Sequence, residues 1–285
     1  MNYKTTVVTP WHNPIQFKLF TDAWNIGHPC PNFLPVHDAH RMGCAQTKNR
    51  GIELAIKQGA DIVIILDDDC LPTEEMLVQL HANETPPLQA FIDAHVASLT
   101  TPLAIPLFAQ VTQPRSRGTP YEQLSIDLAP AASMGYWEDI GDYDACCQLV
   151  HGAHMPMMFQ RGGIYNQYFA MSGMNIAFWA TDWPWFKFVD VPRFDDIWMG
   201  FLFQKYAYHR RKCISLNGPS VSHSRQSNVW NNLKLEAEHL EDNETFWQNV
   251  FHFCPEKGVL SREVLLTFLA EVSDSKIKPI IIDLL

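Results

Sequence analysis

Three carboxylates in succession, Asp67, Asp68 and Asp69, follow directly on the aliphatic run Ile62-Val63-Ile64-Ile65-Leu66. Like charges at neighbouring positions repel unless a cation, several N–H donors or open water offsets them. The apolar run reads as a strand covered on both faces, so the charge is concentrated where a buried element ends. Side chains alternate along an extended chain, which would put Asp67 and Asp69 on one side and Asp68 on the other. Two carboxylates on one side suit a hard divalent cation, Mg²⁺ or Mn²⁺, which takes few carboxylates and completes its shell with water and phosphate oxygens. An acidic strand end facing water is the plainer alternative.

A second acidic pair, Asp195-Asp196, stands at the start of a helix-like segment. A like neighbour raises one carboxyl pKa toward the range of a general base, while aspartate also caps helices and is favoured by the helix dipole. Lys48 and Arg50 follow the loop after Asp38 and have the charge to meet a diphosphate, or to sit as solvated helix-surface cations. His223 is one of twelve histidines, and position alone does not single it out as a ligand. The tryptophan-rich stretch 178–186 and the methionine-rich stretch 154–159 read first as packing, with a sugar-stacking surface as the sharper alternative.

The elements that must position these groups alternate along the first third of the chain. Residues 5–10, 32–38 and 61–66 have strand character; 14–24 and 44–59 have helical periodicity, the second closed by Gly59. A βαβαβ order implies a parallel sheet, and ligands of such sheets sit beyond the carboxyl ends of the strands. Thr9, Pro10, Trp11, Asp38 and Asp67 to Asp69 should therefore converge on one crevice. Helices are expected near 73–82 and 87–99, then a strand over 102–111. A middle region broken by Pro114, Gly118, Pro120, Pro130, Gly135, Gly141 and Gly152 reads as functional loop. A helix over 194–209, a strand over 212–218, one or two helices within 231–253 and an amphipathic helix over 258–272 precede an apolar tail, 277–285, suited to docking on the body or on a partner.

Composition bounds the reading. With 285 residues, 47% of them hydrophobic and 18% charged, the chain can bury one large core or two small ones. A formal charge of −10 disfavours a broad hold on nucleic acid or anionic membrane, and the strip His209-Arg210-Arg211-Lys212 reads as a solvated helix end. Seven cysteines without a Cys-x-x-Cys spacing fit a reduced, cytoplasmic compartment. The N-terminal residues lack a signal pattern, and no stretch approaches the roughly 20 apolar residues of a membrane span. The expectation is an unprocessed protein without a membrane segment.

Six ordered stretches, "ILDDDC", "RGTPYE", "GYWEDIGDYDACCQLV", "SGMNIAF", "RFDDIWMG" and "HSRQSNVWNNLKLE", resemble the reversibly glycosylated polypeptides, the UDP-arabinopyranose mutases, across most of residues 60 to 250. The resemblance implies an α/β glycosyltransferase A-type (GT-A) fold with a mixed, mostly parallel sheet flanked by helices. The expected division is a catalytic domain over 1–230 and a helical extension over 231–285 packed on it. It further implies a nucleotide sugar, UDP-linked, and Mn²⁺ or Mg²⁺ held by Asp69, His223 and Asp67. Asp67 and Asp68 would serve ribose and phosphate, Thr9, Pro10 and Asp38 the base, Lys234 a phosphate, and Asp195 and Asp196 the sugar or its acceptor. The family pattern has two arginines seven residues apart, the first linked to self-glycosylation; this chain has Arg117 at the first position and Leu124 at the second. With one arginine gone, Arg117 reads as a clamp on diphosphate or sugar, or as the glycosylated residue. Metal-dependent transfer to an outside hydroxyl then leads, with a hydroxymethylated nucleic-acid base open as acceptor. A sugar-nucleotide mutase comes second and a non-catalytic nucleotide-sugar binder third. A homo-oligomer is left open.

Overall fold

The computed structural model describes residues 3–27, 30–83, 85–107, 124–140, 143–152, 161–223, 228–255, 260–273 and 276–285. Strand β1 (Thr5–Trp11) leads into helix α1 (Pro14–Ala23), whose start is fixed by Asn13. The Asn13 side chain accepts the amides of Ile15 and Gln16 at 3.0 and 3.4 Å, and Pro14 occupies the first helical position, where no N–H is needed. Strand β2 (Phe33–His37), helix α2 (Cys44–Lys57) and strand β3 (Ile62–Leu66) complete the expected βαβαβ start. Next come β4 (Cys70–Leu71), α3 (Glu74–Asn83), α4 (Pro87–Thr100), β5 (Leu103–Leu107), β6 (Leu124–Leu128), β7 (Pro130–Met134), β8 (Trp137–Asp139), α5 (Ala145–His151), β9 (Gly163–Ile164) and β10 (Asn175–Trp179). A 3₁₀ turn over Ala180–Trp185 is followed by α6 (Asp195–His209), β11 (Cys213–Ser215), β12 (Val221–His223), α7 (Val229–Ala237), α8 (Leu240–His252), α9 (Arg262–Val272) and α10 (Lys278–Ile282).

The main sheet runs β2-β1-β3-β10-β7-β11-β9. β1 is parallel to both neighbours, with Val7 opposite Phe33 on one side and Ile64 on the other. β10 then enters antiparallel between β3 and β7, and β11 is parallel to β7 but antiparallel to β9. The result is the mixed α/β arrangement of a GT-A-like fold. A smaller sheet, β4-β12-β8, places His223 opposite Cys70 on one side and Asp139 on the other. β5 and β6 form a separate antiparallel pair.

The strand that ends in the acidic run is buried on both faces. Val63 and Ile65 pack with Ile52 and Ala55 of α2 and Met199 and Phe203 of α6, while Ile62, Ile64 and Leu66 pack with Phe20 of α1, Trp24 just after it and Phe91 of α4. Each such side chain contributes about 2 kcal/mol, which fixes the strand against sliding. The central β7, Pro-Ala-Ala-Ser-Met, corrects the reading of the middle as loop: its residues have weak strand propensity, and burial against α4 and β10 decides its conformation. The strand expected over 102–111 is β5 as far as Leu107, and the rest of it lies outside the described residues.

Under the sheet, α4 donates a buried polar chain. His95, fully buried, sits 2.8 Å from Asn175 Oδ1 and 3.0 Å from Ser133 Oγ, and Ser98 lies 2.8 Å from both Ser133 and Ser215. Asn175 Nδ2 donates to the carbonyls of Tyr136 and Pro219, so its Oδ1 must accept, and the His95 proton sits on Nε2.

The C-terminal helices and the apolar tail dock on α6. Trp198 stacks on Phe246 at 4.1 Å, and Leu265, Leu269, Ile277, Ile281 and Leu284 fill the same cluster. Among the described residues no helix is long and apolar enough to cross a membrane.

Candidate functional site

The carboxyl ends of β1, β2 and β3 open onto a crevice of about 430 Å³ lined by Pro10, Trp11, His12, Asp38, Arg41, Gly43, Cys44, Thr47 and Asp67 to Asp69. Trp11 stacks on Phe17 and His37, with ring centroids 4.5 and 4.1 Å away. The Asp38 carboxylate accepts the amides of Met42 and Gly43 at 2.7 and 3.2 Å and so closes the turn before α2. That turn ends at Gly43 with φ +103°, a conformation open only to glycine. Gly43 also leaves the first amides of α2 without a side-chain cap, at the positive end of the helix dipole. Thr47, one turn on, keeps a buried hydroxyl that has no hydrogen-bond partner among the described residues, and so does Thr9.

The strand stops at Leu66, and residues 67–70 form a turn in which the Cys70 amide donates to Asp67 O at 3.0 Å. Strand alternation therefore does not extend through the three carboxylates. Asp67 faces Lys48, whose Nζ lies 3.0 Å from each of its oxygens and 3.0 Å from the Gly173 carbonyl. Lys48 is 2% exposed. Burial opposes its charge, but attraction to Asp67, with Asp195 and Asp196 adding, holds its pKa well above the ordinary value. Burial pushes the Asp67 carboxyl up to about 6, and Lys48 pulls against that rise. Lys48 thus spends its charge on Asp67, and Arg50 lies on the exposed face of α2, so neither stands on the crevice wall as the spacing suggested.

Asp69 faces His223. The small sheet sets this contact, because β12 is registered on β4 immediately after the acidic turn. His223 Nε2 lies 3.7 Å from Asp69 Oδ2, and its Nδ1 lies 2.9 Å from the Ile140 carbonyl. A carbonyl only accepts, so Nδ1 carries a proton, and Nε2 is the ring nitrogen turned toward Asp69. Two donors about 2.1 Å from one Mg²⁺ at near right angles would be about 3 Å apart, within a small side-chain adjustment of the observed pair. Among the described residues no group of three histidine, cysteine, aspartate or glutamate side chains could hold an ion by itself. The pair fits a cation that takes its remaining ligands from phosphate and water.

Asp195 and Asp196 occupy the first turn of α6 rather than its cap, which is Phe194. Asp196 Oδ2 accepts the Gly173 amide at 2.8 Å, and burial raises the Asp195 carboxyl pKa against the pull of Lys48. Lys234 is exposed on α7, away from the crevice lining, and Arg117 lies outside the described residues. The sequence reading did not single out Arg41, Cys44 or Thr47. Cys44, Thr47 and Lys48 stand at i, i+3 and i+4 of one helix, a spacing that puts them on one face and was available to find them.

A family model described as reversibly glycosylated polypeptide matches residues 51–257. The chain is 26% identical over 202 residues to the probable UDP-arabinopyranose mutase 1 of Pisum sativum, covering 65% of this chain and 52% of that protein. It is 25% identical over 224 residues to UDP-arabinopyranose mutase 2 of Arabidopsis thaliana, covering 71% and 57%. With the probable UDP-arabinopyranose mutase 1 of Zea mays it shares 28% over 181 residues, covering 56% and 49%. The chain spans about half the length of the curated relatives it matches. The matched region takes in Asp67 to Asp69, Asp195-Asp196 and His223, and begins after Lys48.

Proposed function

The chain belongs to the reversibly glycosylated polypeptide family, and from that premise we propose that it is a UDP-sugar mutase, interconverting pyranose and furanose forms of a UDP-linked pentose. One observation carries the proposal: Asp69 and His223, from distant parts of the chain, meet at the mouth of a crevice walled by the ends of three parallel strands. Transfer to an outside hydroxyl, the first expectation from the residues, moves to second place on the relatives' names.

In this reading Thr9, Pro10, Trp11 and Asp38 form the wall for the base, and the uncapped first turn of α2 with Arg41 faces the diphosphate. Asp69 and His223 would hold Mg²⁺ or Mn²⁺, with Asp68 beside them. The ion, when bound, neutralises the diphosphate as the sugar–phosphate bond is strained or broken. Asp195 and Asp196, at the start of α6 and joined to the Lys48 group through Gly173, would serve the sugar hydroxyls. Pyranose-to-furanose conversion exchanges the C1–O5 ring bond for a C1–O4 bond, the O4 proton passing to O5 and the bond from C1 to UDP being restored, so sugar and UDP must be held together until the ring recloses, which a walled crevice favours.

Incubation with UDP-arabinopyranose alone, followed by chromatographic separation of ring forms, tests the proposal. The furanose form should accumulate without any acceptor. A second reading, transfer to an external hydroxyl, is favoured by Leu124 at the place of the family's second arginine. It would show as no isomer alone and a glycosylated product once hydroxyl acceptors, hydroxymethylated nucleic acid among them, are added. Tight UDP-sugar binding with neither product would leave a non-catalytic binder.

A further inference from the structure

We infer that Lys48 is a positioning residue that, through the backbone of Gly173, sets the spacing between the Asp67 to Asp69 group and the Asp195-Asp196 pair, and is not the cation that receives a diphosphate. The inference rests on the reading of the crevice as a UDP-sugar site. An ammonium has three N–H donors. Two of those of Lys48 go to Asp67 Oδ2 and the Gly173 carbonyl, each at 3.0 Å, the Cys44 side chain also hydrogen-bonds Lys48, and the Phe188 ring lies 5.2 Å from Nζ. Turning Nζ toward a phosphate would leave Asp67 without this counter-charge, the costly half of a broken buried pair.

Gly173 is bonded on both sides. Its carbonyl accepts from Lys48 and its amide donates to Asp196 Oδ2 at 2.8 Å, while the next carbonyl, of Met174, accepts the Asp67 amide at 3.1 Å. One short backbone segment therefore touches both acidic groups, and Lys48 closes the ring between them. Glycine is required at 173 for closeness: an added Cβ would lie 2.5 Å from Phe188 Cε1 and 3.0 Å from Asp196 Cβ. A displacement of Lys48 thus moves Gly173, and with it the carboxylate that Gly173 holds. Placement of reacting groups to within about an ångström governs rate far more than it governs binding of the remote nucleotide.

Lys48→Met and Gly173→Ala in the full chain test this, with three measurements: titration with UDP and with uridine, turnover of UDP-arabinopyranose, and hydrogen exchange of the Asp67 and Gly173 amides. Lys48→Met should bind UDP within about threefold of wild type while kcat falls about 30-fold or more. Gly173→Ala should fall comparably, and the double variant no further than the worse single, because the two act as one unit. Amide protection at Asp67 and Gly173 should drop about tenfold in Lys48→Met. A tenfold loss of UDP affinity with uridine affinity unchanged would assign Lys48 to the diphosphate and overturn the inference. Unchanged turnover with unchanged protection would overturn it equally. A wild type that isomerises nothing refutes the functional reading alone; the protection at Gly173 then decides the role of Lys48. Should Lys48→Met not fold, Lys48→Met/Asp67→Asn, which removes both buried charges together, is read for the same protection and for UDP against uridine.

Discussion

Protonation of His95 should destabilise this protein from the inside as pH falls. The ring is fully buried, donates through Nε2 to Asn175 and has Nδ1 3.0 Å from Ser133 Oγ, and burial lowers its pKa from the ordinary 6.5 to about 4. The folded state therefore binds this proton less readily than the unfolded chain. The contribution is fully present above the unfolded value of about 6.5 and is lost as pH falls toward about 4. Linkage with those two values gives a loss of about 1.4 kcal/mol at pH 5.5 and about 2.6 kcal/mol at pH 4.5. Urea unfolding of wild type and His95→Gln at pH 7.5, 5.5 and 4.5 isolates it, because all other groups titrate alike in both. His95→Gln should be the less stable at pH 7.5, having lost part of the polar chain, and the gap should shrink by those amounts on acidification. A gap constant from pH 7.5 to 4.5 would refute the argument, and would mean that the ring is reached by water or already charged.

Two further outcomes can be checked directly. Asp69→Asn and His223→Ala should each weaken Mn²⁺ binding in the presence of UDP by about tenfold or more, measured by titration, and UDP-sugar turnover should vanish with EDTA and return with Mn²⁺; retention of tight Mn²⁺ binding in both variants would remove the pair from the metal site. Thr47→Val should leave urea stability unchanged or raise it by up to about 1 kcal/mol, since a buried hydroxyl without a partner is a net cost, while UDP affinity falls; unaltered UDP affinity would show that no ligand atom reaches the hydroxyl.

The first three strands and two helices were legible because their signals are local: period, the Asn13-Pro14 start, Gly59 after α2, and an apolar run long enough for one buried strand. The acidic run and the crevice at the strand ends followed from the same order. What was not legible depends on neighbours. β7 is a strand because α4 and β10 cover it, although Pro130, Ala131 and Ser133 say little by themselves. β10 enters the sheet inverted, which no periodicity records. Strand alternation does not carry through Asp67 to Asp69 because the chain turns at residue 67, where the Cys70 amide donates to the Asp67 carbonyl. Lys48 had the charge for a phosphate but lies where Asp67 and Gly173 already take its donors.

The register of β12 on β4 also orders events in folding. The β1-α1-β2-α2-β3 wall that precedes Asp69 pairs largely within the first 66 residues, whereas His223 comes from about 150 residues further along, a separation at which closing a free loop costs about 4 kcal/mol. The crevice wall can thus form while the Asp69–His223 pair is still missing, and a nascent chain that has not yet delivered β12 has the wall and not the pair. A ligand that bridges Asp69 and His223 acts as a staple on that long loop: at a hundred times its dissociation constant it would add about 2.7 kcal/mol to the closed state. Affinity for such a ligand is then a late reporter of folding, gained only when the last strand of the small sheet has found its partner.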